Sequence, residues 1–170
     1  MKSVYQDKET EESEAMEIVT ELKEIKEQPY VHQIRFFYPD FENERIVATN
    51  KEVSMNTNDE TKKVLAKAYK DVPGDLVSVL SPSTVLNSFY LNKDGRVYAD
   101  FTRQLIDEMN AGAFLETQIL QSLVNTLGTY FGVEEVSLTV EGRPYQSGHV
   151  ALERGEFFKV RLDDVVEENR

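Results

Sequence analysis

The chain holds two histidines, His32 and His149, and no cysteine. A transition-metal site needs imidazole or thiolate ligands that converge, and no His-x-x-x-His or His-x-Glu spacing is present. His32 alternates with strand-type residues and His149 follows Gly148 in a loop-type stretch, so both read as satisfied surface or edge histidines. Asp40, Glu42 and Glu44 alternate as calcium ligands do, but an EF-hand loop needs glycine at its sixth place, where Arg45 stands. They read as the solvated tip of a hairpin. Glu134-Glu135 falls between a helix and a strand, a usual solvent-facing place for acidic residues, and the spatial separation that paired catalytic carboxylates need is not a property of sequence spacing. No serine sits in Gly-x-Ser-x-Gly, and there is no Gly-x-Gly-x-x-Gly or phosphate loop. The residue types therefore predict no catalytic site, no metal and no cofactor. The one polar pair inside an apolar run is Asn125-Thr126. It reads either as a partner or ligand contact, or as a buried pair bonded to a neighbouring loop, since an unsatisfied buried polar group costs about 1–3 kcal/mol.

Composition narrows the classes of partner. The 170 residues carry a formal charge of −12, which argues against a nucleic-acid backbone and against an anionic membrane surface. With 40% apolar and 10% aromatic residues, the chain is that of a globular domain with a real core. No apolar run is long enough to span a bilayer, and the N-terminus lacks the basic-then-apolar pattern of a signal peptide. No direct membrane insertion by these residues is expected.

The elements that must position any site follow from periodicity. Residues 1–29 hold nine acidic and four basic residues, with Met16, Val19, Leu22 and Ile25 at every third place. This segment reads as an acidic tether or a weak amphipathic helix. Tyr30 to Tyr38 is a strand with Ile34, Phe36 and Tyr38 on one face and Gln33, Arg35 and Phe37 on the other; Arg45 to Val53 is a second. Thr57, Asn58 or Asp59 can cap a helix with Val64, Leu65, Ala68, Tyr69 and Val72 on its apolar side, stopped by Pro73-Gly74. Val85–Leu91 and Arg96–Phe101 flank Asn92-Lys93-Asp94-Gly95, a hairpin signal because glycine accepts positive φ. From Phe114, apolar residues at Leu120, Leu123, Val124, Leu127, Tyr130 and Phe131 predict a helix with one apolar stripe. Gly132 suits its C′ position. Gly128 in its interior implies close helix–sheet packing, since an interior glycine costs about 1 kcal/mol relative to alanine. Val136, Leu138 and Val140 then alternate as a last strand. The order ββαββαβ predicts an α+β fold with two helices packed on one face of a mostly antiparallel sheet.

Several of these residues carry a resemblance. Val-Asn-Thr-Leu at 124–127, Phe131-Gly132-Val133, Val136 and Val140-Glu141-Gly142 resemble the signature half of the GerMN domain. Tyr38-Pro39-Asp40 is similar to that family's opening strand end, and Leu80-Ser81-Pro82 with Thr84 to its central proline-containing loop. The resemblance spans about residues 31–160, which sets a domain at 30–160 and leaves 161–170 as an acidic C-terminal tail. It implies a fold similar to the ring-building motifs of spore-envelope complexes. It also implies a place in sporulation or spore germination, outside the cytoplasm and with a lipoprotein or membrane anchor lying outside these residues.

The functional expectation is a non-enzymatic protein-interaction module of the bacterial cell envelope, with a protein partner or self-association. The candidate contacts are Arg96, Tyr98 and Asp100 on one strand and Arg143 at its neighbour's exit; an ordinary solvated sheet face would look the same. The alternative is a module for cell-wall glycan or peptide, with Tyr30, Tyr38, Tyr90, Tyr98 and Tyr145 as rings on which a sugar could stack.

Overall fold

The computed structural model describes residues 11–19, 30–56 and 60–168. Helix α1 covers 11–19 and is exposed throughout. The rest of the segment read as tether or helix, and the candidate caps Thr57, Asn58 and Asp59, lie outside the described residues.

The predicted elements are present in the predicted order, within an α+β fold. Strands β1 (Tyr30–Asp40) and β2 (Arg45–Met55) form a hairpin, followed by α2 (Thr61–Lys70). Strands β3 (Leu86–Leu91) and β4 (Val97–Phe101) form the second hairpin, whose turn closes with Gly95 at φ 81° and Asn92 N–H on Arg96 C=O at 2.9 Å. A short helix α3 (Gln104–Asp107) and the long α4 (Ala113–Phe131) lead to β5 (Glu135–Val140). Short strands β6 (Arg143–Pro144), β7 (Phe158–Lys159) and β8 (Val165–Glu167) complete the chain.

The strands divide into two sheets instead of one. One has the order β1-β2-β8; the other runs β3-β4-β5-β6, with β7 also on β5. Strands β4 and β5 are parallel, Ala99 opposite Leu138, because α3 and α4 carry the chain back along the sheet before it re-enters. The helix α4 packs against β1 and against the inner faces of β4 and β5. This explains why it is more than amphipathic: Ser122 through Gly128 are all buried, where the sequence predicts one apolar stripe. Leu123, Leu127, Val136, Leu138 and Val140 are buried as their periodicity requires. The helix ends where predicted. Gly132 adopts φ 69°, its N–H bonds Thr129 C=O, and Val133 N–H reaches Gly128 C=O at 3.0 Å, the two bonds of a Schellman cap.

The acidic stretch 161–170 is not simply a tail. Val165, Val166 and Glu167 pair in parallel with Ile46, Val47 and Ala48. Glu168 N–H bonds Ala48 C=O at 2.9 Å, and the Glu167 carboxylate accepts from both terminal nitrogens, Nη1 and Nη2, of Arg35. Two valines are too short a run for periodicity to register, and the partners that order them lie more than a hundred residues away.

Gly128 confirms the expected close packing. A Cβ there would overlap Val160 Cγ2 and stand 3.0 Å from Val133 O and 3.2 Å from Val136 Cγ2. The neighbours are a backbone carbonyl and stiff β-branched side chains. Overpacking of about 1–3 kcal/mol therefore outweighs the ~1 kcal/mol gained in helix propensity. Gly128→Ala is expected to destabilise the chain in chemical denaturation, whereas a simple propensity argument predicts the opposite sign.

Candidate functional site

With α4 on the inner face of the β3–β5 sheet, the side chains that point the other way form its outer face. Alternation along β4 puts Val97, Ala99 and Phe101 into the core and Tyr98 and Asp100 outward. Register then places Tyr90 of β3 and Ser137 of β5 beside Tyr98, and Thr139 beside Asp100. Arg96 precedes the strand on the same face. Three of the four candidate contacts are thus brought together. Arg143 is not part of that row: it pairs with Val140, whose side chain is buried, at the exposed edge β6.

Each member is held by neighbours. The Tyr90 and Tyr98 rings stack at 5.6 Å and 8°, with Tyr90 49% exposed. Tyr98 hydroxyl donates to Asp94, and that bond foremost holds the exposed Asp94 carboxyl below its ordinary range. Arg96 Nε bonds Glu135 at 2.7 Å, and its guanidinium lies 3.9 Å from the centre of the Phe157 ring. Asp100 accepts from Thr139 Oγ1 at 2.5 Å, Gly142 N–H at 2.8 Å and Asn87 Nδ2 at 3.1 Å. Partial burial pushes its carboxyl up, but these three bonds outweigh that and lower it. The face is therefore a preorganised polar and aromatic surface, with Arg96 paired to Glu135 and the Asp100 carboxylate held by neutral donors.

A second cluster escaped the sequence reading. Glu116, in the first turn of α4, is buried, 3% exposed. Its Oε1 accepts from Tyr145 hydroxyl at 2.8 Å and from Ser147 hydroxyl, and its Oε2 faces His149 Nδ1 at 2.7 Å. His149 is exposed as expected, yet it is tied to this carboxylate. The signal was available in part: Tyr145, Ser147 and His149 alternate, which aligns three polar groups along one side of an extended segment. Ser147 hydroxyl meets the carboxylate and not the imidazole, so no serine–histidine proton relay is formed. Ser147 Oγ also accepts from His149 N–H and Val150 N–H, both at 3.1 Å. The cluster clamps the 145–150 loop to α4. Burial raises the Glu116 carboxyl, but the hydrogen bonds from Ser147, His149 and Tyr145 prevail and lower it. A carboxyl lowered on folding stabilises above its unfolded value, near pH 4, and loses that contribution as pH falls through the folded one. Glu116→Gln should therefore flatten the loss of stability between neutral pH and acid, measured by denaturant unfolding at each pH.

Asn125 and Thr126 resolve in favour of the structural alternative. Asn125 Nδ2 donates to Arg161 C=O at 2.8 Å and its Oδ1 accepts Arg161 N–H at 2.9 Å, so the amide holds the 159–161 segment as a strand neighbour would. Thr126 Oγ1 accepts Phe37 N–H at 3.0 Å. Of the rings proposed for sugar stacking, Tyr38 and Tyr145 are completely buried, which leaves Tyr30, Tyr90 and the half-buried Tyr98. Among the described residues, no group of three His, Asp or Glu could hold a metal ion, and no helix is long and apolar enough to cross a membrane.

Residues 35–146 match a family model described as Germane: Sporulation and spore germination. The fold is similar to the tandem GerMN domains of the sporulation protein GerM from Bacillus subtilis, with a TM-score of 0.58 and 20% identity over 73% of this chain and 45% of that one. It is similar also to the first GerMN domain of the same protein, with a TM-score of 0.55 and 21% identity over 79% and 96% of the two chains. The chain thus spans less than half of the tandem structure. At these identities the likeness is one of fold. No curated protein matches the sequence.

Proposed function

The chain belongs to the Germane family of sporulation and spore germination, and from that premise we propose that it is a non-enzymatic protein-interaction module of the bacterial cell envelope. It acts outside the cytoplasmic membrane, with attachment supplied from beyond these residues, and docks a protein partner or a further copy. The observation that carries the reading is the half-exposed outer face of β3, β4 and β5, centred on the stacked Tyr90 and Tyr98. Tyrosines are strong interface anchors because they present a large rigid surface and a polar tip. Arg96 already pairs with Glu135 and Asp100 already accepts three hydrogen bonds, so a partner can cover them without leaving an unsatisfied ion. Arg143, at the adjoining edge, belongs to the rim of this surface.

Asp100 holds Thr139, Gly142 and Asn87, so reversing its charge would disturb the sheet as well as any contact. Tyr90 is the cleaner probe: it is half exposed, and losing its stack on Tyr98 costs about 0.2–1 kcal/mol of stability. Tyr90→Asp should weaken binding to the partner co-purified from sporulating cells by about 2 kcal/mol, close to thirtyfold, with the melting temperature lowered by no more than about 4 °C. Undiminished binding would move the interface elsewhere. Turnover of a peptidoglycan fragment by the purified chain would overturn the non-enzymatic reading. Saturable binding of a glycan, lost in Tyr90→Asp, would favour the cell-wall ligand alternative.

A further inference from the structure

Among the described residues, one edge of the β1–β2 hairpin is capped along only half its length. These strands pair without a register shift from Tyr30 opposite Met55 to Asp40 opposite Arg45, so backbone groups alternate regularly between the inner and outer side of β1. Phe37 faces outward: its N–H donates to Thr126 Oγ1 and its C=O accepts from Tyr69 hydroxyl at 2.6 Å. One step on, Pro39 has no N–H and its C=O accepts Val77 N–H at 2.8 Å. By the same parity Val31, Gln33 and Arg35 turn their N–H and C=O groups outward. Among the described residues no backbone hydrogen bond meets them.

Free strand edges are usually blunted by lysine, proline or a bulge. Residues 30–34 contain none of these, and they expose Tyr30 at 52% and Val31 at 64%. We infer that this edge pairs with the same edge of a second copy, antiparallel about a two-fold axis at Gln33, so that the sheet continues as β8-β2-β1-β1-β2-β8. The register is self-complementary: Gln33 meets Gln33, and Val31 meets Arg35 of the second copy, so no like charges are opposed. The hairpin's other edge is a poorer candidate. It already carries β8, and a two-fold pairing about Glu52 would set two carboxylates against each other. The long-range charge of −12 on each copy opposes association, so added salt strengthens this dimer. The inference is independent of the face around Tyr90.

The absence of cysteine makes the test clean. Outward-facing residues form the hydrogen-bonded type of antiparallel pair, with Cα atoms about 5.5 Å apart, within the range a disulfide spans. Gln33→Cys should oxidise rapidly to a covalent dimer, whereas Glu52→Cys on the opposite edge should not. Sedimentation of the full chain should show a dimer that grows with concentration and salt. Val31→Pro, which removes one outward donor at an edge where proline is tolerated, should abolish it, and Tyr90→Ala should leave it intact. Oxidation at position 33 no faster than at position 52 overturns the inference, whatever the sedimentation result and whether or not Val31→Pro folds.

Discussion

Leu127→Ala is expected to lower the unfolding free energy by about 2–5 kcal/mol, the range for deleting a buried leucine side chain. Leu127 is completely buried in α4 within the one core cluster that both sheets share. The surrounding rings and β-branched residues belong to strands fixed by their own ladders, so the site has little freedom to collapse. For a chain of this size the loss corresponds to about 2–4 °C of melting temperature per kcal/mol. A loss below about 0.5 kcal/mol, the size of an ordinary surface substitution, would mean that the helix is rotated from the phase described.

The second large effect concerns the strand edge beneath that helix. Phe37 is completely buried, and among the described residues its N–H donates to the Thr126 side chain and its C=O accepts from the Tyr69 side chain. Thr126→Val keeps the volume but leaves the Phe37 N–H without an acceptor, which should cost about 1–3 kcal/mol. Tyr69→Phe leaves the carbonyl unpaired and should cost a similar amount. Because Thr126 Oγ1 also lies 3.0 Å from Tyr69 hydroxyl, the double variant should cost less than the two single losses added together. Strict additivity in denaturant unfolding would show that the three groups do not act as one network.

Elements with a long repeat were legible in the sequence, and pairings between distant elements were not. The α4 stripe, its Gly132 cap, the Asp94-Gly95 hairpin and the alternation of β4 and β5 all depend on neighbours within a few residues. Gly128 pointed to close packing because glycine inside a helix needs a reason. The division into two sheets depends on where α4 lies between β1 and β5, which local pattern does not encode. The same holds for Thr126 on Phe37, 89 residues away, for β8 on β2, and for Glu116 with the 145–149 loop. Of the candidate contacts, Arg96, Tyr98 and Asp100 share a face because period two is unambiguous in a five-residue strand. Arg143 falls outside that row because the turn at Glu141-Gly142 reverses the chain and sets it opposite Val140.

The proposed role stands or falls with the outer face of β3–β5 as a contact surface. The most direct measurement is site-specific photo-crosslinking in the source cells during sporulation and germination, with the photoreactive side chain at position 90 and, as control, at exposed position 63 on α2. A discrete protein adduct is expected from position 90, absent from position 63 and lost when Tyr98 is also replaced by Asp. Adducts from position 63 with none from position 90 would contradict it.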